Sequence, residues 1–145
     1  MFIKPEYAED MGRLLVLLYR ARRQYLADHL KEYGITGPMH ILLMGVHCQP
    51  GSSQELISER YFIDKASVAR WARRLEELGY LRRETGEEDR RFYRLFLTER
   101  GEELVGIVHS HSEAFSRKLT DGLSGQERKT ALALLSRMAL RTSED

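Results

Sequence analysis

Residues 53–97 read SQELISERYFIDKASVARWARRLEELGYLRRETGEEDRRFYRLFL, and this stretch decides the fold. Its first part has apolar residues at helical spacing, with a capping box at 52–55 and a good N-cap residue in Asp64. The hydrophobic period then falls from about 3.6 residues to about 2, so 80–85 and 91–97 are predicted to be strands on either side of a polar turn. Two short helices followed by a hairpin predict a winged helix-turn-helix.

Four further helices flank this stretch, each indicated by apolar residues three and four positions apart and by capping or breaking residues at its ends. Their approximate ranges are 6–33, 38–48, 99–119 and 124–141. The predicted order is therefore α-α-α-α-β-β-α-α, a mainly α fold with a small β-hairpin. We expect one domain, 1–145, with a winged helix-turn-helix lobe at 36–98 and dimerisation helices at 1–35 and 99–145.

The first helix carries two apolar stripes, and its length of about 40 Å exceeds the roughly 30 Å width of a small domain. One stripe consists of Tyr7, Met11, Leu14, Leu18, Ala21 and Tyr25, and the other of Leu15, Tyr19, Leu26, Leu30 and Tyr33. We expect one stripe to pack on its own lobe and the other to pack on a partner chain, which predicts a homodimer.

The composition is that of an ordinary globular protein, with 145 residues of which 42% are hydrophobic and 31% charged. No apolar run approaches the roughly 18 residues of a membrane span, and the N-terminus lacks the apolar core of a signal peptide. The single cysteine, Cys48, cannot form an internal disulfide, which favours a cytoplasmic location. The sequence has no glycine-rich phosphate loop, nucleophile elbow or zinc-protease motif, so we do not expect an enzyme.

The charges are unevenly distributed along the chain. Between Arg60 and Arg94 there are ten basic residues, nine of them arginine, against seven acidic ones. Arginine matches phosphate oxygens and guanine edges better than lysine does. On charge alone two interpretations stay open, a nucleic-acid interface or a solvated helix face laced with ion pairs.

The fourth helix is the candidate recognition helix, because its N-terminal half combines small and basic residues on one face. A B-DNA major groove is about 12 Å wide and admits one helix. The hairpin tip would carry Arg90 and Arg91 to the adjacent minor groove. The alternative is a winged helix that binds protein without specific DNA binding, a module with less use for so many arginines. The candidate DNA-binding residues are Lys65, Ser67, Arg70, Arg73, Arg74, Asp89, Arg90 and Arg91.

Five segments resemble the MarR family of prokaryotic transcriptional regulators: SQELISER at 53–60, IDKASVAR at 63–70, RLEELGYL at 74–81, DRR at 89–91 and LTERG at 97–101. The resemblance implies a homodimer with interlocking terminal helices and two winged-helix lobes on a pseudo-palindromic operator of double-stranded DNA. It also implies release by a small, often aromatic, anionic effector, and we expect a repressor. Neither a cofactor nor a membrane partner is expected.

The resemblance also assigns roles to single residues. The segment 89–91 matches the family's Asp-x-Arg wing signature, which makes Arg91 the minor-groove arginine and Asp89 its positioning partner. The resemblance places Lys65, Ser67, Arg70 and Arg74 in the recognition helix. Phe62 departs from the pattern, because such turns often carry glycine and a left-handed backbone is costly for phenylalanine.

The histidines and the cysteine are the remaining candidates for sensing. Some members of the family sense zinc through histidines on the second and fifth helices, and His40 stands at one such position. His109 and His111 are two residues apart, whereas a metal-binding pair on a helix needs a spacing of three or four. We therefore expect the five histidines to be core or surface residues without a metal, and Cys48 to be an ordinary buried thiol rather than a redox sensor. The histidines are His29, His40, His47, His109 and His111.

Overall fold

Residues 10–85 and 93–142 are described by the computed structural model of the chain. The helices are α1 (Met11–Leu30), extended by a 3-10 turn at Lys31–Tyr33, and α2 (Met39–Cys48), α3 (Gln54–Tyr61), α4 (Lys65–Glu77), α5 (Glu99–Leu119) and α6 (Gly125–Arg141). The strands are β1 (Ser52–Ser53), β2 (Leu81–Thr85) and β3 (Tyr93–Leu97).

The helix ends follow the capping residues in the sequence. Ser53 and Asp64 cap α3 and α4 through their side-chain oxygens, and Ser124 and Glu127 form both hydrogen bonds of a capping box at the start of α6. The expected start of the first helix near residue 6 is wrong. Asp10 has extended backbone angles, and its carboxylate accepts a hydrogen bond from Arg13 N, so α1 begins at Met11.

The sheet has one strand more than the sequence predicts. β2 and β3 form the expected antiparallel pair, with Leu81 opposite Leu97 and Thr85 opposite Tyr93. β1 adds to the other side of β3, so the spatial order is β1-β3-β2 and the element order is α-α-β-α-α-β-β-α-α. A strand of two residues has no hydrophobic period, so sequence patterning cannot reveal it. The mainly α winged-helix class is confirmed.

The hydrophobic core lies under α4, where the end of α1 meets α2, α3, α5 and the sheet. Residues up to Ser112 form one compact unit, and residues from Glu113 onward form a second. The fully buried side chains of the first unit include Leu26, Leu30, Ile35, Leu42, Leu43, Val46, Ile57, Val68, Leu75, Leu95 and Leu104.

Burial on α1 divides along the helix rather than around it. Its buried side chains are Leu26 and Leu30 near the C-terminal end, whereas Met11, Leu15 and Tyr19 are exposed near the N-terminal end. The expectation that one whole stripe packs on its own lobe is therefore wrong, because only the last turns of the helix reach the core. The first turns leave apolar side chains from both stripes in solvent.

No helix in 10–85 or 93–142 is both long and apolar enough to cross a membrane.

Gly101 allows α5 to approach the start of the sheet. A Cβ atom built on Gly101 would lie 2.1 Å from the Tyr80 carbonyl oxygen and 3.1 Å from Leu97 Cβ. Both neighbours are poorly able to move, since one is backbone and the other is fixed in β3. Gly106 lies on the same helix and is exposed, and a Cβ atom there would meet nothing within 4 Å.

We therefore expect Gly101→Ala and Gly106→Ala to change stability in opposite directions. Gly101→Ala should lower the free energy of unfolding by about 2–3 kcal/mol through overpacking. Gly106→Ala should raise it by about 0.5–1 kcal/mol, because alanine loses less conformational entropy in a helix than glycine. Urea unfolding of the two variants measures both effects, and equal changes in the two would contradict the close approach of α5 to Tyr80.

Candidate nucleic-acid interface

Helix α4 is held in place by its apolar face and by the turn that precedes it. Val68, Ala72 and Leu75 are completely buried against the core. Phe62, at φ 52° and ψ 43°, ends α3 in the left-handed conformation, and Asp64 then returns to extended angles as the N-cap of α4. This sharp change of direction sets how α4 crosses α3.

The opposite face of α4 is basic. The predicted residues Lys65, Arg70, Arg73 and Arg74 are exposed, and Ser67 is half-buried. Ala66 and Ala69 are exposed between them. The helix therefore brings five predicted site residues to one surface, and small side chains separate the cations.

A short hydrogen-bond chain links the cap of α4 to one of these arginines. The backbone N–H of Ser67 donates to Asp64 Oδ1 at 2.8 Å, and Arg70 Nη2 donates to Ser67 Oγ at 3.1 Å. Hydrogen bonds from the Ser67 hydroxyl and backbone lower the pKa of the Asp64 carboxyl, and the charge of Arg70 lowers it further. Asp64 is thus an anion at neutral pH and helps to orient Arg70.

Two of the exposed cations already have acidic partners. Lys65 Nζ contacts Glu55 in the first turn of α3, and this hydrogen bond and the negative charge raise the pKa of Lys65. Arg74 Nη1 lies 3.4 Å from Glu77 Oε2. Exposed pairs of this kind contribute only about 0–1 kcal/mol to stability, so a phosphate can compete for the cations. The exposed face of α4 therefore fits both interpretations of the charge pattern, because it carries ion pairs and its cations stay accessible to a polyanion.

The predicted wing residues Asp89, Arg90 and Arg91 lie outside the described residues. The neighbouring strands β2 and β3 are described, and Arg83 of β2 contacts both α4 and β3. Arg83 Nε lies 3.2 Å from Glu76 Oε2, and its guanidinium is 5.8 Å from the centre of the Tyr93 ring.

Sequence reasoning missed two residues of this surface, Glu55 and Arg83. Each depends on how two consecutive elements pack together, α3 with α4 for Glu55 and α4 with β2 for Arg83. The one available signal was that Glu55 belongs to a capping box, which places it in the first turn of α3.

Two open grooves flank α4. One, of about 380 Å³, lies between the start of α3 and the strands, and the other, of about 350 Å³, lies between α4 and the start of α2. The first is lined by Ser53, Gln54, Glu55, Lys65, Ala69, Arg83 and Tyr93. The second is lined by Thr36, Met39, Arg70, Trp71, Arg73, Arg74 and Glu77.

The histidines do not gather into a metal site in the described part of the chain, which holds no group of three or more His, Cys, Asp or Glu residues placed to bind a metal. His40 is buried, and its Nδ1 has no hydrogen-bond partner. Burial lowers the pKa of His40 below its ordinary value of 6.5, and the charge of Arg22 lowers it further, so the ring is neutral at neutral pH. His47 instead lies on the surface, with Nδ1 2.7 Å from Glu102 Oε2.

The prediction of a buried thiol at Cys48 is wrong. The side chain is exposed, because Cys48 is the last residue of α2 and follows the buried face of that helix, which ends at Val46.

The chain is similar to known proteins in both sequence and fold. The sequence model of the MarR family matches residues 33–91. A crystal structure of MarR superposes with a TM-score of 0.87 at 29% identity, covering 94% of this chain and 99% of that one. The HTH-type transcriptional regulator SarZ of Staphylococcus epidermidis is 27% identical over 117 residues, which are 79% of this chain and 78% of the relative. The chain is thus similar to the MarR family in the sequence of its winged-helix lobe and in its whole fold.

The similarity to these regulators identifies the protein as a DNA-binding transcription regulator and not an enzyme. A mutant MarR from E. coli, complexed with operator DNA, has the same fold, with a TM-score of 0.74 at 20% identity. The superposition covers 94% of this chain and 99% of the MarR chain.

Proposed function

We propose that the protein is a homodimeric, ligand-responsive repressor that binds a pseudo-palindromic DNA operator in the cytoplasm. The basic face of α4 carries the proposal, since Lys65, Arg70, Arg73 and Arg74 are all exposed on one helix. A dimer with twofold symmetry reads two related half-sites, which is why the operator is expected to be pseudo-palindromic. Bound across a promoter, it would exclude polymerase from the same DNA.

The shape of α4 supports entry into the major groove. Ala66 and Ala69 leave room for close approach of the helix to base edges, and the groove is about 12 Å wide. Arg70 lies in the N-terminal half of α4 and is oriented by Ser67, so we assign it to a guanine edge. Arg74 lies one turn further on, and we assign it to a phosphate. Asp89, Arg90 and Arg91 stay assigned to the wing, with Arg91 in the minor groove.

Two apolar faces support the homodimer. In the first unit, the exposed side chains of α1 include Met11, which is 57% exposed, and Tyr19, also 57%. In the second unit, none of the described side chains of α6 is buried, although this helix has 17 residues. Most helical stability in proteins comes from packing of an apolar face, so α6 needs a partner surface. Its exposed apolar side chains are Leu132, Leu134, Leu135, Met138 and Leu140.

The groove between α4 and the start of α2 supports release by a small aromatic anion. Its volume of about 350 Å³ suits a small ligand. Trp71 is half-buried and offers apolar surface to a ring, and Arg70 and Arg74 offer cations to a carboxylate. A ligand held there would occupy the two arginines assigned to DNA, so ligand and operator would compete.

We expect Arg70→Ala and Arg74→Ala to weaken DNA binding in different ways. Arg70→Ala should cost about 1–3 kcal/mol on the operator and much less on random DNA, because a base contact is lost. Arg74→Ala should weaken binding to all sequences alike and reduce the salt slope by about one unit, because a phosphate contact is lost.

Gel shifts at several salt concentrations measure both effects, with Arg141→Ala on α6 as the control. Equal losses on operator and random DNA for Arg70→Ala would remove its base-reading role. Wild-type protein that binds no DNA with a salt-dependent affinity would favour a protein-binding winged helix instead.

The dimer has its own test, which needs no DNA. Sedimentation equilibrium should give about twice the chain mass of 16.9 kDa. Leu135→Asp should shift the protein toward monomer, because it places a charge in the apolar face of α6. Leu56→Asp on α3 is the matched control and should leave the mass unchanged. A monomeric wild-type protein at micromolar concentration would rule out the dimer.

Trp71 reports on the proposed ligand groove, since it is the only tryptophan of the chain. Benzoate should change its fluorescence and release operator DNA over the same concentration range, whereas benzyl alcohol, which lacks the charge, should be much weaker. Arg74→Ala should reduce the affinity for benzoate. Release of DNA by benzoate with unchanged Trp71 fluorescence would place the effector elsewhere.

A further inference from the structure

Phe62 combines a costly left-handed backbone with a side chain that lies in solvent. Its φ of 52° makes it the one non-glycine residue with a left-handed backbone among 10–85 and 93–142. A left-handed backbone is a genuine outlier for a bulky side chain. The phenyl ring is also 98% exposed, so it packs against nothing among residues 10–85 and 93–142.

The strain at Phe62 is maintained by the residues on either side of it. The backbone N–H of Ile63 donates to the Ser58 carbonyl at 3.0 Å, and the Ser58 hydroxyl donates to the Ile63 carbonyl at 2.6 Å. These bonds close the end of α3 in a Schellman-type turn, in which the left-handed position favours glycine. Glycine would therefore satisfy the turn at lower cost, and the ring adds no contact within the described part of the chain.

The place of Phe62 in the chain indicates what the ring contacts. It lies in the connection from α3 to α4, two residues before the N-cap Asp64 and three before Lys65. The end of α4 that it precedes is the end proposed to enter the major groove. The ring is thus an apolar group at the border of a basic surface, continuous with the proposed DNA interface.

We propose that Phe62 is a DNA-contacting residue whose ring packs on apolar surface of the duplex beside the start of α4. This inference rests on the proposed DNA-binding function. Duplex DNA offers two such surfaces there, the C5-methyl group of thymine in the major groove and the deoxyribose of the backbone. The bound state then uses the ring that the free protein leaves in solvent.

The experiment compares Phe62→Gly, Phe62→Asn and Phe62→Tyr on a duplex that the wild-type protein selects from a random-sequence library. Glycine and asparagine both tolerate the left-handed backbone but lack the ring, so the two variants should be as stable as wild type or more so. Both should bind about fivefold more weakly, which corresponds to roughly 1 kcal/mol. Tyrosine keeps the ring and should bind like wild type.

The salt slope separates this contact from a lost phosphate contact. Removal of an apolar contact should leave the slope unchanged, whereas each lost phosphate contact lowers it by about one unit. The source of the apolar surface follows from replacing thymines of the duplex by deoxyuridine, one at a time. If one replacement weakens wild type but not Phe62→Gly, the ring contacts that methyl group, and if none does, it contacts deoxyribose.

Three outcomes would overturn the inference. The first is wild-type affinity in Phe62→Gly and Phe62→Asn. The second is an equal loss in Phe62→Tyr, and the third is a lower sedimentation mass of Phe62→Gly without DNA, which would make the ring a contact between copies of the chain. Failure of the wild-type protein to select any duplex would instead overturn the proposed function itself.

Discussion

The rest of the structure depends on the burial of one face of α4. This face consists of Val68, Ala72 and Leu75, which are completely buried in the core. The arginines of the same helix therefore point to solvent. Because the helical period fixes the angle between neighbouring side chains, a rigid apolar face implies a rigid basic face. The caps at Ser53 and Asp64 serve the same end, since they fix where α3 and α4 begin.

The cations on the exposed face of α4 are held in place by weak contacts and remain accessible to an anionic partner. Arg70 is held by Ser67, whereas Lys65 and Arg74 are held by carboxylates. Such pairs keep long side chains in defined positions while costing little to break in water. A polyanion that offers many phosphates at once can replace the carboxylates without any rearrangement of the core.

The surface of the protein also carries apolar groups that its own fold does not use. They occur on α1, on α6 and at Phe62, and the exposed side chains on the two helices are numerous. A folded chain gains nothing from exposed apolar side chains, so such groups point to partners. The helices offer extended faces suited to another protein surface. Phe62 is a single ring next to cations, which suits a nucleic acid.

The sequence by itself determined much of the fold. Periodicity and capping residues were sufficient to predict the six α-helices and the β2–β3 pair, and the arginine-rich run marked α4 as the candidate interface. These features are local, because a residue and its neighbours three or four positions away decide them. Tertiary structure alone decided the short strand β1, the exposure of Cys48 and the lengthwise division of α1. It also decided the pairing of Lys65 with Glu55. β1 pairs with a strand about forty residues away, and the Lys65–Glu55 pair depends on how α3 packs against α4; no helical or strand period records such contacts.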